Sequence, residues 1–387
     1  MITTSWYPPL VKGLTAPVPA LDRPSAYSHV IKALGGFWSA TMTQSVSPAT
    51  MDDWILNGIG RHIRVHDETL GLCWEGFANQ VDAVYGALTF TRGPLMGTAN
   101  RVKGTFSTVD VTVIPPTEGI EDETVWVDHV GSQIEHGIFP VVISVSETNP
   151  ADALNVTNSF LAQHAWPIGN QLWATGAAQA PALTIQCLGY VHWLFYVYNQ
   201  LATAGFINTD AKIVDILTGV DAVTGNPYNL NSAWLPFGTT HVETPAAPAA
   251  PPYYEYEDHT AWELIQGIVA RGDTNQNRWL FGIYEDREAY YQQAPTTVEY
   301  KTKLSDPAQR VFGPTEVKPW QVRPGKWLRF SDFLANAPNV ASLELDPRVM
   351  FIEDVTYTMP NQLTLSGDPQ ASLSDIMASF GLGGVGV

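Results

Sequence analysis

The sequence predicts a β-rich α+β protein in which two antiparallel β-barrel units flank inserted α+β domains. Its 387 residues include 13 Trp, 15 Tyr and 15 Phe, with 45% hydrophobic and only 15% charged residues, which is typical of a folded, strand-rich chain. Apolar and polar residues alternate with a period of two near both ends of the chain, whereas helical spacing dominates its middle. The length favours two or three domains.

The first β unit centres on residues 60–113. Turn-forming residues at positions 67–68, 86 and 93–94 divide this stretch, so we expect an antiparallel meander with one polar and one buried face, forming half of a barrel wall. A Pro-rich arm and a strand-like segment precede it. The apolar positions that alternate with polar ones are Ile63, Val65, Leu88, Phe90, Val109, Val111 and Val113.

Two helices are predicted by their first residues. A Ser-Pro pair at 47–48 supplies an N-cap and a proline at the first helical position, and an Asn-Gly pair at 57–58 ends this helix. An Asn-Pro pair at 149–150 starts a longer helix. That helix is expected to end before the Trp-Pro pair at 166–167, because a proline disfavours helix at the residue before it.

Helices and a linker are predicted in the middle of the chain. Residues 189–205 are apolar on every side, which predicts a buried helix, and residues 211–218 predict a short amphipathic one. The Pro/Ala run at 243–252 favours polyproline II and is predicted to be a stiff spacer on the surface. Asp258 is predicted to cap the next helix, which ends at Gly272.

The second β unit occupies the C-terminal third. Strands are predicted at residues 278–286, around Val298 and at 327–330, and a hairpin over 349–365 turns at 360–361. We expect this unit to close the wall formed by the first. An apolar stripe at helical spacing then follows, formed by Leu373, Ile376, Met377 and Phe380.

Charge and cysteine content exclude several classes of protein. The formal net charge of −18, from 38 acidic and 20 basic residues, argues against a protein that grips nucleic acid. Cys73 and Cys187 lie in different apolar runs, so we expect buried free thiols rather than a disulfide or a thiolate metal site. The N-terminus has no signal-peptide pattern and no apolar run could span a bilayer of ~30 Å, so we expect a soluble chain without its own export signal.

Metal sites are weakly indicated. His62 and His66 have the spacing of metal ligands on a helix, but on a strand they lie two pleats apart. We therefore expect them to be ordinary residues of a strand face rather than a metal site. The Asp-x-Asn-x-Asn run at 273–277 imitates a calcium loop, yet Arg278 stands where that loop needs Gly and Tyr284 where it needs Glu. We expect a solvated turn there.

An acidic run at residues 121–123 could chelate calcium or supply the carboxylate pair of a glycosidase. A run of like charges is usually a solvated loop, which is the expectation here. The many Trp and Tyr residues could build sugar-stacking platforms, but at strand spacing they are expected in the core and at interfaces. No motif for a phosphate loop, a zinc protease or a serine hydrolase occurs.

The order of these parts carries a resemblance. A β wall with LGLCWEGFANQV and RGPLMGTANRVKGTF is followed by the helix NPADALNVTNSFLAQHAWP and the strand and helix LTIQCLGYVHWL. A linker, a helix and RWLFGIYEDREAYYQQAP come next, then VRPGKWLRF and the hairpin FIEDVTYTMPNQLTLSG. This order resembles the tail hub proteins of tailed bacteriophages, also called tail-associated or baseplate hub proteins. The resemblance covers most of residues 30–370 and includes no catalytic residue.

The resemblance implies two tube-like β-barrel domains in one chain and a trimer that forms a pseudo-hexameric ring. Its channel would continue the tail tube, and a net charge of −18 suits a lining that does not hold phosphate. The implied domains are an N-terminal arm at 1–30, a first barrel at 31–115, an inserted α+β domain at 116–242, a linker at 243–252, a second α+β insertion at 253–310, a second barrel at 311–368, and a C-terminal helix with a Gly-rich tip at 369–387.

The implied function is that of a non-enzymatic structural virion protein at the tail tip or baseplate, assembled in the host cytoplasm. It implies no catalytic residue, metal or cofactor. The implied partners are further copies of the chain, the distal tail, tape measure and tail tube proteins, and a central fibre or spike, with DNA only in transit. The spike, peptidase and lysozyme modules of many relatives do not appear, so cell-wall degradation is not implied.

Two alternatives stay open. One is a distal tail or other minor tail protein; the other, from a different class, is a carbohydrate-active enzyme or lectin, which would need two carboxylates roughly 5–10 Å apart across a cleft. Exposed sheet edges must be covered, so we expect a closed cyclic oligomer, threefold for the hub. The candidate interface residues are Trp279, Tyr290, Trp327, Leu373, Ile376, Met377 and Phe380.

Overall fold

Strands dominate the computed structural model, which confirms a β-rich fold. The residues that the structure describes are 2–9, 23–67, 71–110, 117–173, 179–196, 208–218, 236–247, 249, 260–336, 340 and 342–367. The strands are β1 (Ile2–Pro9), β2 (Ala26–Lys32), β3 (Gly35–Gln44), β4 (Arg61–Asp67), β5 (Gly71–Gly86), β6 (Leu88–Arg92), β7 (Arg101–Asp110), β8 (Thr117–Glu123), β9 (Val127–Asp128), β10 (Pro140–Ser144), β11 (Gly169–Trp173), β12 (Gln179–Leu188), β13 (Gly238–Val242), β14 (Trp279–Ile283), β15 (Glu288–Gln293), β16 (Val298–Thr302), β17 (Val311–Phe312), β18 (Glu316–Val317), β19 (Trp327–Phe330), β20 (Val349–Thr358) and β21 (Gln362–Gly367).

Two helices begin where the sequence predicts. The helices are α1 (Pro48–Asn57), α2 (Val130–His136), α3 (Pro150–His164), α4 (Thr209–Thr218) and α5 (Ala261–Arg271). In α1 the Ser47 hydroxyl accepts the Thr50 N–H at 3.2 Å, and in α3 the Asn149 side chain accepts the Ala151 N–H at 2.8 Å. Each side chain therefore satisfies a backbone donor that the first helical turn leaves free.

The cap of α5 corrects the sequence prediction. Thr260, not Asp258, is the N-cap, because its hydroxyl accepts from the Glu263 N–H while the Glu263 carboxylate accepts from the Thr260 N–H. This reciprocal pair is a capping box. Asp258 itself lies outside the described residues, and Gly272 ends the helix as predicted, with φ of 62°.

One ladder organises the larger of the two sheets. Seventeen strands form this sheet, and β7, β8, β9 and β10 form a separate one. Within the larger sheet, eight strands pair in the order β11-β6-β5-β12-β3-β2-β20-β21, and all seven pairings are antiparallel. We call this the eight-strand ladder. Because β2 pairs with β3 on one side and β20 on the other, the first wall and the last hairpin belong to one sheet.

Irregular pairing bends the ladder. The register of β12 against β5 shifts between Gln186 and Cys187, which pair with Gln80 and Ala78, so that Asn79 has no residue opposite it on β12. A second shift separates Val30 from its neighbour on β2 in the pairing with β3. An unpaired residue of this kind increases the local twist of an antiparallel pair.

One face of the ladder packs against the main hydrophobic core. Val81, Ile185, Met42 and Tyr27 lie opposite one another on four neighbouring strands, and all four are buried. Opposite residues of an antiparallel pair point to the same face, so this row marks the apolar face of the ladder. Cys73 and Cys187 are buried free thiols, as predicted.

The structure corrects the predicted first wall. Of the strands within residues 60–113, only β4, β5 and β6 belong to the larger sheet, because β7 pairs with β8, β9 and β10 in the second sheet. Val111 and Val113 lie outside the described residues. The acidic run at 121–123 is part of the edge strand β8 and not of a loop, although its residues are exposed as expected.

The structure also corrects two predictions for the middle of the chain. Residues 190–196 form a 3-10 helix, and residues 197–205 of the predicted buried helix lie outside the described residues. The Pro/Ala run is not confined to the surface, since Pro245 and Ala249 are buried and the Ala247 carbonyl accepts the Thr274 N–H at 2.9 Å. Small apolar side chains pack readily against the turn after α5.

The C-terminal strands β16 to β19 extend from β20 and form a second, smaller cluster. Val355 of β20 is fully buried there, and Leu363 and Leu365 of β21 pack partly buried against it. Two separate barrel units remain a prediction. No helix in the described part of the chain is long and apolar enough to cross a membrane.

Candidate assembly site: the polar face and open edges of the ladder

The second face of the ladder is polar from one strand to the next. One row of directly opposite residues crosses six strands and contains only amides and hydroxyls, none of them buried. Its members are Gln80, Gln186, Thr41, Ser28, Thr358 and Gln362.

Asp82 is the centre of a hydrogen-bond network on this polar face. Its carboxylate accepts from Thr91 at 2.7 Å on β6, from Gln186 at 2.9 Å on β12 and from Gln80 at 3.0 Å on β5. Three strands are thus joined by one side chain, and bonds to a charged acceptor are stronger than neutral ones. The network fixes the positions of amides that would otherwise move freely on an open face.

Few charges stand on the polar face. The acids Asp82 and Asp354 are accompanied by Lys32, which lies opposite Asp354 across β2 and β20. The Lys32 ammonium also lies 4.1 Å from the centre of the Trp38 ring. The described polar face therefore has no cluster of cations of the kind that binds phosphate backbones.

Several sheet edges are protected against pairing with another chain. The last two residues of β1 are Pro8 and Pro9, and the edge strand β8 carries three exposed acids. On β13 the Thr240 N–H already donates to the Glu288 carboxylate at 3.2 Å. Prolines, like charges and occupied donors all prevent edge-to-edge association.

The two end strands of the ladder have none of these protections. β11 has the sequence GNQLW and β21 has QLTLSG, so neither carries a proline or a charge. Within the described residues β11 pairs only with β6, and β21 pairs only with β20. Both strands therefore present backbone donors and acceptors that a further strand can pair with.

The β11 edge also exposes large apolar side chains. Tyr85, Leu88 and Trp173 lie directly opposite one another on β5, β6 and β11, with 53%, 36% and 68% of their surface exposed. We call these three the β11 row. Leu172 is 66% exposed but points to the polar face, because successive residues of a strand alternate between faces.

Direction matters for how the two edges can meet. Seven antiparallel steps separate β11 from β21, so the two end strands run in opposite directions within one chain. A rotation about a ring axis that lies along the strands preserves their direction. The β11 edge of one copy can then meet the β21 edge of the next as one more antiparallel pair.

A buried carboxylate lies at the other end of β5. Glu75 is 1% exposed, and its Oε2 forms an ion pair with the Arg64 Nε at 3.2 Å and accepts a hydrogen bond from the Asp286 N–H at 3.1 Å. Burial raises the pKa of Glu75 to about 7, although Arg64 opposes the shift. The carboxylate fastens the first wall to the turn between β14 and β15.

Buried histidines stay neutral for the same reason. Burial lowers the pKa of His62 and of His29 to about 3 and that of His192 to about 4. The His62 Nδ1 is hydrogen-bonded to the Tyr190 hydroxyl. His62 therefore acts in packing, and no group of three or more His, Cys, Asp or Glu that could hold a metal occurs in the described residues.

The Asp-x-Asn-x-Asn run forms a turn, as predicted, but its carboxylate is buried. The Asp273 Oδ1 accepts the Asn275 N–H at 2.9 Å and the Asn277 N–H at 3.0 Å, and its Oδ2 accepts from the Asn277 side chain at 2.8 Å. The carboxylate oxygens are thus occupied by donors of the turn itself. Asp273 is 5% exposed, whereas Thr274, Asn275 and Gln276 are exposed, so the turn is solvated as expected except at its first side chain.

The predicted interface residues have partners within the chain. Trp279 is buried against the Tyr291 ring at 4.6 Å, and Trp327 is buried and donates its indole N–H to the Pro295 carbonyl at 2.9 Å. Tyr290 stacks on His241 at 4.2 Å. The other four candidates, Leu373, Ile376, Met377 and Phe380, lie outside the described residues.

Sequence reasoning missed the exposed residues of the β11 edge. Tyr85 and Leu88 lie within the predicted wall at residues 60–113, but the sequence does not indicate that they stand at its edge, and it does not predict a strand at residues 169–173. The available signal was an uncharged segment, PIGNQLW, that carries three large apolar residues directly after a helix. Such a segment predicts either core or interface, and only the neighbours decide between them.

Comparisons with known proteins find similar structures but no similar sequence. No protein-family model and no curated protein sequence matches the chain. The solved structures that are similar to it include two tail proteins. The 43 kDa tail protein of prophage MuSo2 from Shewanella oneidensis aligns over 94% of this chain and 95% of its own, at 8% identity and a TM-score of 0.41. The tail protein from Neisseria meningitidis MC58 aligns over 95% of this chain and 96% of its own, at 9% identity and a TM-score of 0.40. Because both TM-scores lie below 0.5, this similarity carries no argument about the function of the chain.

Proposed function

We propose that the chain is a structural protein of a phage tail, a tail-tip or baseplate hub that assembles into a ring. One observation carries this proposal: each chain holds a continuous antiparallel ladder of eight strands with an unprotected edge at either end. Copies joined from β11 to β21 extend the same antiparallel order from one chain to the next. A trimer, which the resemblance implies, then contains three ladders, or 24 strands.

A ring of that size leaves a wide channel. At ~4.8 Å between strands, 24 strands give a circumference of roughly 115 Å for upright strands, and tilt widens it further. Barrels of 16 to 18 strands already enclose an aqueous channel. We assign the polar face of the ladder to the lumen, since it presents amides, hydroxyls and two acids but only one Lys.

Such a lining suits DNA in transit. A duplex that slides must not be held, and phosphate is held by clustered Lys and Arg that displace its counterions. The excess of acids over bases in the chain adds a repulsive potential. On this proposal the apolar face carries the inserted domains outward, and neighbouring tail proteins dock on the two rims of the ring.

The test uses two variants that each block one edge. Asn170→Lys with Leu172→Lys blocks β11, and Gln362→Lys with Thr364→Lys blocks β21, because edge charges oppose strand pairing. We expect each variant to be monomeric alone, while the unmodified chain forms a closed ring. Mixing the two is expected to give a 1:1 dimer, since each partner still offers the edge that the other needs.

Mass measurement by native mass spectrometry or light scattering separates the outcomes. A dimer that forms from one blocked variant alone would mean that an edge pairs with itself, which contradicts the ring. A mixture that stays monomeric, together with a monomeric unmodified chain, would contradict assembly through these edges. Circular dichroism of each variant controls for folding.

A further inference from the structure

We propose that Trp173 of one copy is the apolar anchor that seats in a groove of the next copy. This inference rests on the proposed edge pairing and adds the side chains that recognise it. The groove has a volume of about 540 Å³ and lies beside the open edge β21. Its apolar walls are formed by Leu363, Leu365, Phe330, Met350 and Val317.

The groove and the β11 row lie on the same face of the ladder. Leu365 is opposite Val355 and Leu363 is opposite Tyr357, and both partners are buried on the apolar face. Trp173 continues the row of Leu88 and Tyr85 on this face. Joining β11 to β21 therefore brings Trp173 to the side on which the groove opens, and leaves Leu172 on the side of the channel.

The apolar parts of the two exposed surfaces match each other. The β11 row is uncharged, and the apolar walls of the groove belong to a cluster that is only partly covered by the described chain. Lys303, Arg310 and Glu316 also line the groove, so the Trp173 ring is placed against its apolar walls. Leu304 on the rim of the groove is 55% exposed. A Trp in a pocket at the centre of a contact is the commonest kind of anchor between proteins, and volumes of 300 to 1,000 Å³ are typical of sites that enclose such groups.

The polar end of the indole also finds a partner. A buried Trp needs an acceptor for its N–H. Asn361 lines the groove and its amide oxygen can accept this hydrogen bond, whereas the Gln362 side chain points to the polar face. The occupant that fits the groove is therefore the β11 edge of a second copy of this chain.

The test measures the affinity of the mixed dimer described above. In the variant blocked at β21, which keeps an intact β11 edge, Trp173→Ala is expected to weaken the dimer on the order of 30-fold or more. Leu172→Ala has nearly the same exposure on the opposite face and is expected to cost no more than about threefold. In the partner, which offers the groove, Leu304→Glu is expected to weaken the dimer at least about tenfold, and by much less once Trp173 is already Ala.

The outcomes distinguish this inference from the proposal on which it rests. Equal losses from Trp173→Ala and Leu172→Ala would overturn the anchor while leaving the edge pairing in place. No dimer in any mixture would overturn both. A Leu304→Glu variant that lowers the melting temperature of the unmixed protein without changing dimer affinity would show that the groove serves the stability of its own chain and would also overturn the anchor.

Discussion

The strands β5 and β11 belong to the same sheet but lie in opposite environments. Six consecutive residues of β5, from Cys73 to Ala78, are buried, whereas all five residues of β11 are exposed. β5 is bonded on both sides and covered on both faces; β11, in the described part of the chain, is bonded on one side only. The difference matches the two tasks that we propose: interior strands stabilise the fold, and the end strands of the ladder pair with other copies.

The largest expected effect is the difference in the free energy of unfolding between alanine variants of two tryptophans. Trp74 on β5 is fully buried, so Trp74→Ala leaves a cavity and should lower the free energy of unfolding by about 3–5 kcal/mol. Trp173→Ala in the variant blocked at β21 should change it by no more than about 0.5 kcal/mol, because an exposed residue loses little on truncation. Urea denaturation of the two monomeric variants measures both values. Similar losses in the free energy of unfolding would contradict the difference that we expect between β5 and β11.

An intermediate effect concerns the pH dependence of stability. Glu75 keeps its proton to a pKa of about 7 in the folded chain but loses it near its ordinary value when unfolded, so its protonated form stabilises the fold below about pH 4.5 and this contribution is lost as pH rises through 7. His29, His62 and His192, with lowered pKa values, act in the opposite direction: their contribution is present above about pH 6.5 and is lost as pH falls. Three groups outweigh one, so stability should fall on acidification from pH 6.5 to 4.5.

Glu75→Gln isolates the single carboxylate. The variant lacks a buried carboxyl group that opposes the histidines, so its stability should fall more steeply with acidification, by up to about 1.4 kcal/mol per pH unit. Denaturation at several pH values between 4.5 and 7 measures the slope. A slope equal to that of the unmodified chain would show that Glu75 is ionised in the folded protein at these pH values.

The smallest effect is expected at the protected edge β8. Replacing Glu121, Asp122 and Glu123 by their amides should leave ring assembly unchanged and alter the free energy of unfolding by no more than about 0.5 kcal/mol for each residue, since all three are exposed. Lys103, which forms an ion pair with Glu123 at 2.6 Å, contributes little at the surface. Higher oligomers of the triple variant would reveal that these acids suppress pairing at this edge.

Local signals in the sequence predicted local structure well. Ser47 and Asn149 were identified as caps because their side chains act within three residues, and the last hairpin was identified because its turn and both strands are contiguous. The cap of α5 was misplaced although the capping-box spacing from Thr260 to Glu263 was present in the sequence.

Such local signals could not predict which strands pair with one another. Alternation identifies the two faces of a strand but not its neighbours, which is why β7 was assigned to the wrong sheet. The pairing of β2 with β20 joins residues more than 300 positions apart, and no periodicity encodes it. The candidate assembly site depends on the same pairing, because β11 is an edge strand only if no second strand pairs with it, as is the case among the described residues.

The register shift at Asn79 has a consequence for stoichiometry. If copies join through two different edges, the contact itself does not specify how many complete a circle; the angle between β11 and β21 does. That angle is the sum of the twist and bend of seven strand pairings. A pairing with an unpaired residue twists and bends more than a regular one. Removing Asn79 would leave both edges chemically intact and yet change the curvature, so the same contacts would close around a different number of subunits or wind into an open helix. In the proposed ring, the number of subunits is then determined by strand pairing inside each subunit and not by the residues at the contact between subunits.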